Sequence, residues 1–278
     1  MSLTTSELLR DAPVELVDLG EHRLRDLGDP EYIHQVIHPE LTREFAPLRS
    51  IESFPTNLPL QTTSFVGREE DMADVIDALD GARVVTLTGV GGVGKTRLAI
   101  QVAAELLPRF RDGAWLVELG PLTDPAGLPD VIAAALAIQP RQGMSMAESI
   151  VDALRAKELL VVFDNCEHLI GAAARTVDAI VRACPGVRVL ATSRKGLGLR
   201  GERQMTVPSL DLTSESVQLF ADRAQEAGGR FELDANTEPA VAQICARLDG
   251  IPLAIELAAA RTRMMTPAEI AARLDERF

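Results

Sequence analysis

The sequence predicts an α/β fold, with a parallel β-sheet covered by helices on both faces and an all-helical lid subdomain after it. Three observations carry that expectation. From Phe65 onward five short runs read as strands: "RVVTLTGV", "GAWLVELG", "LLVVFDN", "VRVLATSR" and "RQMTVPSL". Most are apolar without strict alternation, the pattern of strands buried on both faces. Stretches of helical spacing occupy most of the gaps between them, which is the order of a sheet wound with helices. After about residue 212 the strand signals stop, and "SESVQLFADRAQEA", "EPAVAQICARL", "AIELAAARTRMM" and "PAEIAARLDERF" all carry helical spacing.

Upstream of the sheet the character differs. "VELVDLGEHRLRDL" and "EYIHQVIH" flank Gly28, Asp29 and Pro30, turn chemistry that predicts a small β-hairpin within residues 1–50. Residues 51–63, "IESFPTNLPLQTT", hold two prolines and little periodicity and read as a linker. The expected division is therefore 1–50, a linker over 51–63, an α/β domain over 64–211 and a helical lid over 212–278.

Composition bounds the function. The 278 residues suffice for a sizeable core, and 46% hydrophobic with 25% charged residues is ordinary for a globular protein. A net charge of −13 argues against general nucleic-acid binding, which needs a basic surface to displace counterions. Three cysteines without Cys-x-x-Cys spacing suggest neither a disulfide framework nor a zinc site, and are expected to be reduced, buried thiols. No apolar stretch reaches bilayer length and no basic-then-apolar leader opens the chain, so a cytoplasmic location without membrane contact is expected.

The most specific motif is "GVGGVGKT". Gly89, Gly94, Lys95 and Thr96 match G-x-x-x-x-G-K-[ST] between an apolar strand and a helix. In that setting Gly89, Gly91, Gly92, Val93 and Gly94 can turn backbone N–H groups around phosphate oxygens. Lys95 reaches the β and γ phosphates, Thr96 can ligate magnesium, and Arg97 opens the helix behind them. This makes the fold class a P-loop NTPase and the ligand a nucleoside triphosphate.

Such a loop needs a second carboxylate-bearing strand. Asp164 closes "LLVVFD" at the carboxyl end, where open α/β sheets place their ligands. Alone it would read as a turn or cap residue; paired with the loop it is the metal-side carboxylate, sharing Mg2+ with Thr96. Asn165 follows and cannot accept a proton. Glu167, on the next turn, is the nearest group that can, and it reads equally as a solvated or helix-capping carboxylate. Hydrolysis is therefore expected to be slow. Thr192, Ser193 and Arg194 leave the next strand on the same edge; Arg194 reads as a contact to the γ-phosphate, the alternative being an arginine reaching solvent.

"FVGRE", "GVGGVGKT", "LLVVFDN", "ATSR" and "GIPLAIEL" occur in an order and rough spacing that resembles the NB-ARC or AP-ATPase branch of the STAND nucleotide-switch ATPases, over residues 64–278. "TSFVGRE" and "FDNCEHL" are similar to strings of bacterial LuxR-type, cyclase-linked regulators. The resemblance implies ATP or ADP as the nucleotide, Val66 and Arg68 flanking the adenine side, Arg194 as a sensor arginine and Pro252 near the base. It also implies a protein partner or self-association on activation. "TTSELLRD", "VELVDLGEHRLRDLGDPEYIHQVIHPEL" and "FAPLRS" resemble the last stretch of a class III nucleotide cyclase domain, whose metal-binding residues would lie upstream. The winged helix of the resembled family would lie downstream. The chain is thus expected to be a core module without cyclase activity, an ATP/ADP switch rather than its alternatives, a constitutive ATPase or an interaction scaffold.

Overall fold

A computed structural model describes residues 15–22, 31–37, 54–228 and 231–275. Two strands, β1 (Glu15–His22) and β2 (Glu31–Ile37), pair antiparallel with an irregularity between Asp18 and Glu21. The Gly28–Pro30 turn and most of the cyclase-like stretch lie outside the described residues.

The main sheet has five strands: β3 (Val84–Thr88), β4 (Ala114–Glu118), β5 (Leu159–Asp164), β6 (Val187–Thr192) and β7 (Glu202–Thr206). Their spatial order is β4-β5-β6-β3-β7, and every neighbouring pair is parallel. Parallel pairing sends all five carboxyl ends to one edge. The inner strand β5 shows why the apolar runs were legible. Successive side chains point to opposite faces, so Leu160 and Val162 enter one core while Val161 and Phe163 enter the other.

On the first face those residues meet α1 (Glu69–Gly81) through Val75 and Leu79, and α2 (Lys95–Leu106) through Leu98, Val102 and Leu106. On the second they meet α3 (Leu128–Ala135), α4 (Met146–Leu154) and α5 (Ile170–Ala183), which supply Ile132, Ile150, Val177 and Ile180. Each such fully buried side chain contributes roughly 1.5 to 3 kcal/mol relative to exposure. A reciprocal capping box between Ser145 and Glu148 fixes where α4 starts. The double-sided parallel sheet is the architecture that the apolar runs predict.

The two edges depart from the simple pattern. β7 is largely exposed along Arg203 and Gln204, because an edge strand has a neighbour on one side only. The β4 edge is covered by the segment read as a linker. Thr56 forms a parallel bridge to Ala114 and donates its hydroxyl to the Ala114 carbonyl at 2.7 Å. The Asn57 amide donates to the Leu116 carbonyl at 2.9 Å and accepts from the Leu116 N–H at 2.6 Å. Phe54 and Leu58 pack into the first core. The approach is so close that a Cβ on Gly113, whose φ is 86°, would stand 1.7 Å from the Pro55 carbonyl oxygen. Residues 54–58 are thus a strap on the sheet, not a free tether.

Beyond β7 the described elements are helices: α6 (Glu215–Glu226), α7 (Glu238–Arg247), α8 (Pro252–Ala259) and α9 (Pro267–Asp275). Val217, Phe220, Val241, Ile244, Ile255 and Ile270 form their shared core. Cys166, Cys184 and Cys245 are buried free thiols, in line with their spacing. Burial, with the Asp164 and Glu167 carboxylates adding to it, pushes the Cys166 thiol up to about 12. No described helix is long and apolar enough to cross a membrane.

Candidate functional site

The glycine-rich segment leaves β3 and turns into α2 through backbone that side chains resist. Gly92 and Gly94 have φ of 78° and 97°, and Gly94 is the residue capping α2 in the left-handed region. The amino end of α2 therefore faces the carboxyl edge of the sheet, with Lys95 and Thr96 in its first turn. Lys95 Nζ donates to the Gly89 and Val90 carbonyls, both at 2.9 Å, which folds the lysine over its own loop. Burial holds its ammonium below the usual lysine range; the Glu167 carboxylate opposes that shift and Arg194 adds to it.

The acidic strand is not adjacent to the loop strand, because β6 lies between β3 and β5. The site closes over the end of β6. Thr96 Oγ1 donates to Asp164 Oδ1 at 2.6 Å, Thr192 Oγ1 donates to the same oxygen at 2.6 Å, and the Asn165 N–H donates to Thr192 Oγ1 at 2.9 Å. A hydroxyl and a carboxylate oxygen in contact are hard donors of the kind magnesium takes beside phosphates, so the pair fits that ion. Thr192, 1% exposed, ties the end of β6 to Asp164 and Asn165 at the end of β5.

Past Asp164 the chain turns sharply. Asn165 sits at φ 63° and ψ 53°, and Cys166–His168 form a 3-10 turn that presents Glu167. Arg194 Nε lies 3.4 Å from Glu167 Oε1. The Arg194 side chain is 69% exposed, and it comes within van der Waals range of a Cβ placed on Gly91. Arg194 thus stands beside the phosphate loop, and the sheet brings it to the edge that carries Asp164.

On the other side of Lys95 a cavity of about 270 Å³ opens between the sheet and the helices. Val66, Arg68, Gly92, Gly94, Lys95, Thr96, Arg97 and Pro252 all border it; Asp164, Glu167 and Arg194 do not line it. Phe65, Leu210, Leu219 and Leu253 supply apolar walls. Two of these positions carry more structure than the sequence shows. Arg68, 6% exposed, spends its guanidinium on Asp71 at 2.8 Å, the Val93 carbonyl at 2.9 Å and the Pro208 carbonyl at 2.8 Å, so it props the loop from behind. Arg97 donates to Thr63 and Ser64 carbonyls at 2.8 and 2.6 Å and pairs with Glu256 at 3.4 Å.

Sequence reasoning passed over Thr192 as a site member and missed Glu202 and Glu215. Glu215 accepts the N–H groups of Arg68 and Asp211 at 3.2 and 3.0 Å, joining the cavity wall to α6. Glu202 accepts from the Thr86 hydroxyl at 2.6 Å and from the backbone of Leu197, Gly198 and Leu199, organising the loop that follows Arg194. Burial alone would raise the Glu202 carboxyl, but these hydrogen bonds outweigh it and hold it below the usual glutamate range. A depressed folded value contributes stability above the unfolded value of about 4.3 that is lost as pH falls through the folded one. Glu202→Gln is expected to lower the urea midpoint at pH 7 and to converge with the unmodified chain in acid. A difference constant from pH 7 to pH 3 would count against this.

A parallel sheet in this order, with the glycine-rich loop at the end of one inner strand and an aspartate at the end of another, defines a P-loop nucleoside triphosphatase. The profile described as "Novel STAND NTPase 1" matches residues 47–251, and the chain belongs to that family. An uncharacterized protein of Mycobacterium tuberculosis is 43% identical over 216 residues, covering 78% of this chain and 55% of its own length. A second protein of that organism, named as an HTH-type transcriptional regulator, is 46% identical over 196 residues, 70% of this chain and 22% of its own length. The chain thus spans about half the length of the first of these relatives and under a quarter of the second. Among solved structures, a Walker-type ATPase of Pyrococcus abyssi superposes with a TM-score of 0.54 at 16% identity, covering 77% of this chain and 72% of that one. That last likeness is one of fold.

Proposed function

We propose that the chain is an ATP- and ADP-binding switch module with Mg2+, of the NB-ARC type within the STAND class, which hydrolyses ATP slowly. The observation that supports it most directly is the joining of the phosphate loop to the acidic strand through Thr96, Asp164 and Thr192. In this reading the loop residues and Lys95 hold the phosphates, Thr96 and Asp164 hold magnesium, and Val66, Arg68 and Pro252 border the base. Magnesium would neutralise phosphate charge, and Arg194 would sense the γ-phosphate. The relative named as an HTH-type transcriptional regulator supports a place in gene control, which we read as cytoplasmic and of the LuxR-type, cyclase-linked kind. Residues 64–211 then act as the nucleotide-binding domain and 212–278 as its lid. Residues 1–50 are a cyclase remnant, and 51–63 join the two. Output passes to a protein partner or a second copy, not to DNA or a membrane.

A constitutive ATPase is the second reading, favoured by the Glu167 carboxylate standing near Lys95 and Arg194. A calorimetric titration with ATP and ADP, with and without magnesium, beside a steady-state phosphate-release assay, separates them. The switch predicts measurable binding of both nucleotides and turnover far below the median enzyme rate of about 10 per second. Turnover at that rate would establish the second reading, and failure to bind either nucleotide would leave only a scaffold.

A further inference from the structure

The last carboxylate of the site is held in an unusual way. In the amide orientation that satisfies its neighbours, Asn165 turns its nitrogen toward Glu167 and donates to both carboxylate oxygens at 2.9 Å. Arg194 adds a third, longer contact at 3.4 Å to Glu167 Oε1. The Asn165 backbone is fixed at the same time: its N–H is bound by Thr192 Oγ1 at 2.9 Å and its φ is 63°, a conformation that asparagine tolerates better than most side chains. Space for the amide comes from Gly120, where a Cβ would stand 3.2 Å from it. Nothing about this bridge follows from the string "DNCE" alone, since it depends on the turn that folds Glu167 back over Asn165.

We propose that Asn165 is a positioning residue that restrains Glu167, keeping the carboxylate oxygens occupied and so setting the slow rate of hydrolysis. The inference rests on the nucleotide-binding reading above. In hydrolysis the water oxygen bonds to the γ-phosphorus, the bond from that phosphorus to the β–γ bridging oxygen breaks, and the water proton needs an acceptor. The products are ADP and inorganic phosphate. Glu167 is the acceptor, but the lone pairs that would take the proton are engaged by the Asn165 amide. Arg194 pairs with Glu167 and stands beside the loop at Gly91. Restraint is therefore released when Arg194 and the amide let go, not when a missing base arrives.

The test uses the full chain and two substitutions that respect the left-handed backbone. Asn165→Gly deletes the amide where glycine is at ease, and Asn165→Asp keeps its size while replacing the donor with a repelling carboxylate. Each is expected to raise kcat about fivefold or more with KM for ATP changed less than about twofold, the effect of one charge-assisted hydrogen bond acting on the chemical step. Adding Glu167→Gln to either should return kcat to or below the unmodified value. Unchanged or lower kcat with intact KM in both variants overturns the restraint, as does a gain that survives Glu167→Gln, since the acceptor would then be another group. Nucleotide titration of the unmodified chain separates the two levels: no ATP binding removes the nucleotide reading and this inference with it, whereas intact binding without a kcat gain removes the inference alone.

Discussion

Replacing Lys95 with alanine is expected to weaken ATP binding by roughly 1.5 to 3 kcal/mol, the range for removing one charge-assisted hydrogen bond to a phosphate. That is about a tenfold to hundredfold rise in Kd. The structure sharpens the expectation. Lys95 Nζ is anchored on the Gly89 and Val90 carbonyls at 2.9 Å, so part of what it offers a phosphate is already spent on the loop. That places the loss toward the lower half of the range, with ATP affected more than ADP because the side chain is placed for the β and γ phosphates. Calorimetric titration of the variant with each nucleotide decides it. An ATP affinity equal to that of the unmodified chain would remove Lys95 from the site.

Much of this site was legible because its signals are local. The loop motif occupies eight consecutive residues, and Asp164 ends a run that is apolar because β5 is covered on both faces. What was not legible is long-range. Thr192 has the same local look as any β-branched residue ending a strand; only the placement of β6 between β3 and β5 makes its hydroxyl the link from Asp164 to Asn165. The strap at Thr56 and Asn57 was invisible for a like reason. Two polar residues among prolines read as a linker, while their partners, Ala114 and Leu116, lie nearly sixty positions away on an edge that needs covering. Arg68 shows the limit of resemblance. Its position beside the cavity was anticipated, but the commitment of its guanidinium to Asp71, Val93 and Pro208 was not.

The same long-range logic makes Arg223 the position where one change should most loosen the helical layer from the sheet. Its side chain is 9% exposed, yet it carries a full charge. Nε donates to Glu256 Oε1 at 3.0 Å, Nη1 to Glu226 at 2.8 Å and Nη2 to the Ser64 carbonyl at 2.8 Å. The first of these partners lies on α8, the second on α6, and the third in the segment just before the cavity wall. Glu256 also pairs with Arg97, the residue after Thr96, so one carboxylate joins the phosphate-loop helix to the helices above it. Arg223→Ala deletes the shared cation, removing half of the Glu256 pairing and one of the two donors to the Ser64 carbonyl, which keeps Arg97. Breaking a fully buried pair costs about 3 to 5 kcal/mol. Because Glu256 keeps Arg97 and is 31% exposed, a loss of about 2 to 3 kcal/mol is expected here. Arg223→Lys should fall between, since one ammonium cannot reach three partners set in a fork. Urea unfolding measures the loss, and amide exchange locates it: protection should fall in α6 and α8 before it falls in β5 and β6. A shift under about 0.5 kcal/mol, the range of an ordinary surface substitution, would mean that the apolar core of the helices, not this charge cluster, holds them on the sheet. If the cluster holds, ATP affinity should drop in step with stability, because the cavity walls at Arg97 and Glu256 belong to the two sides it joins.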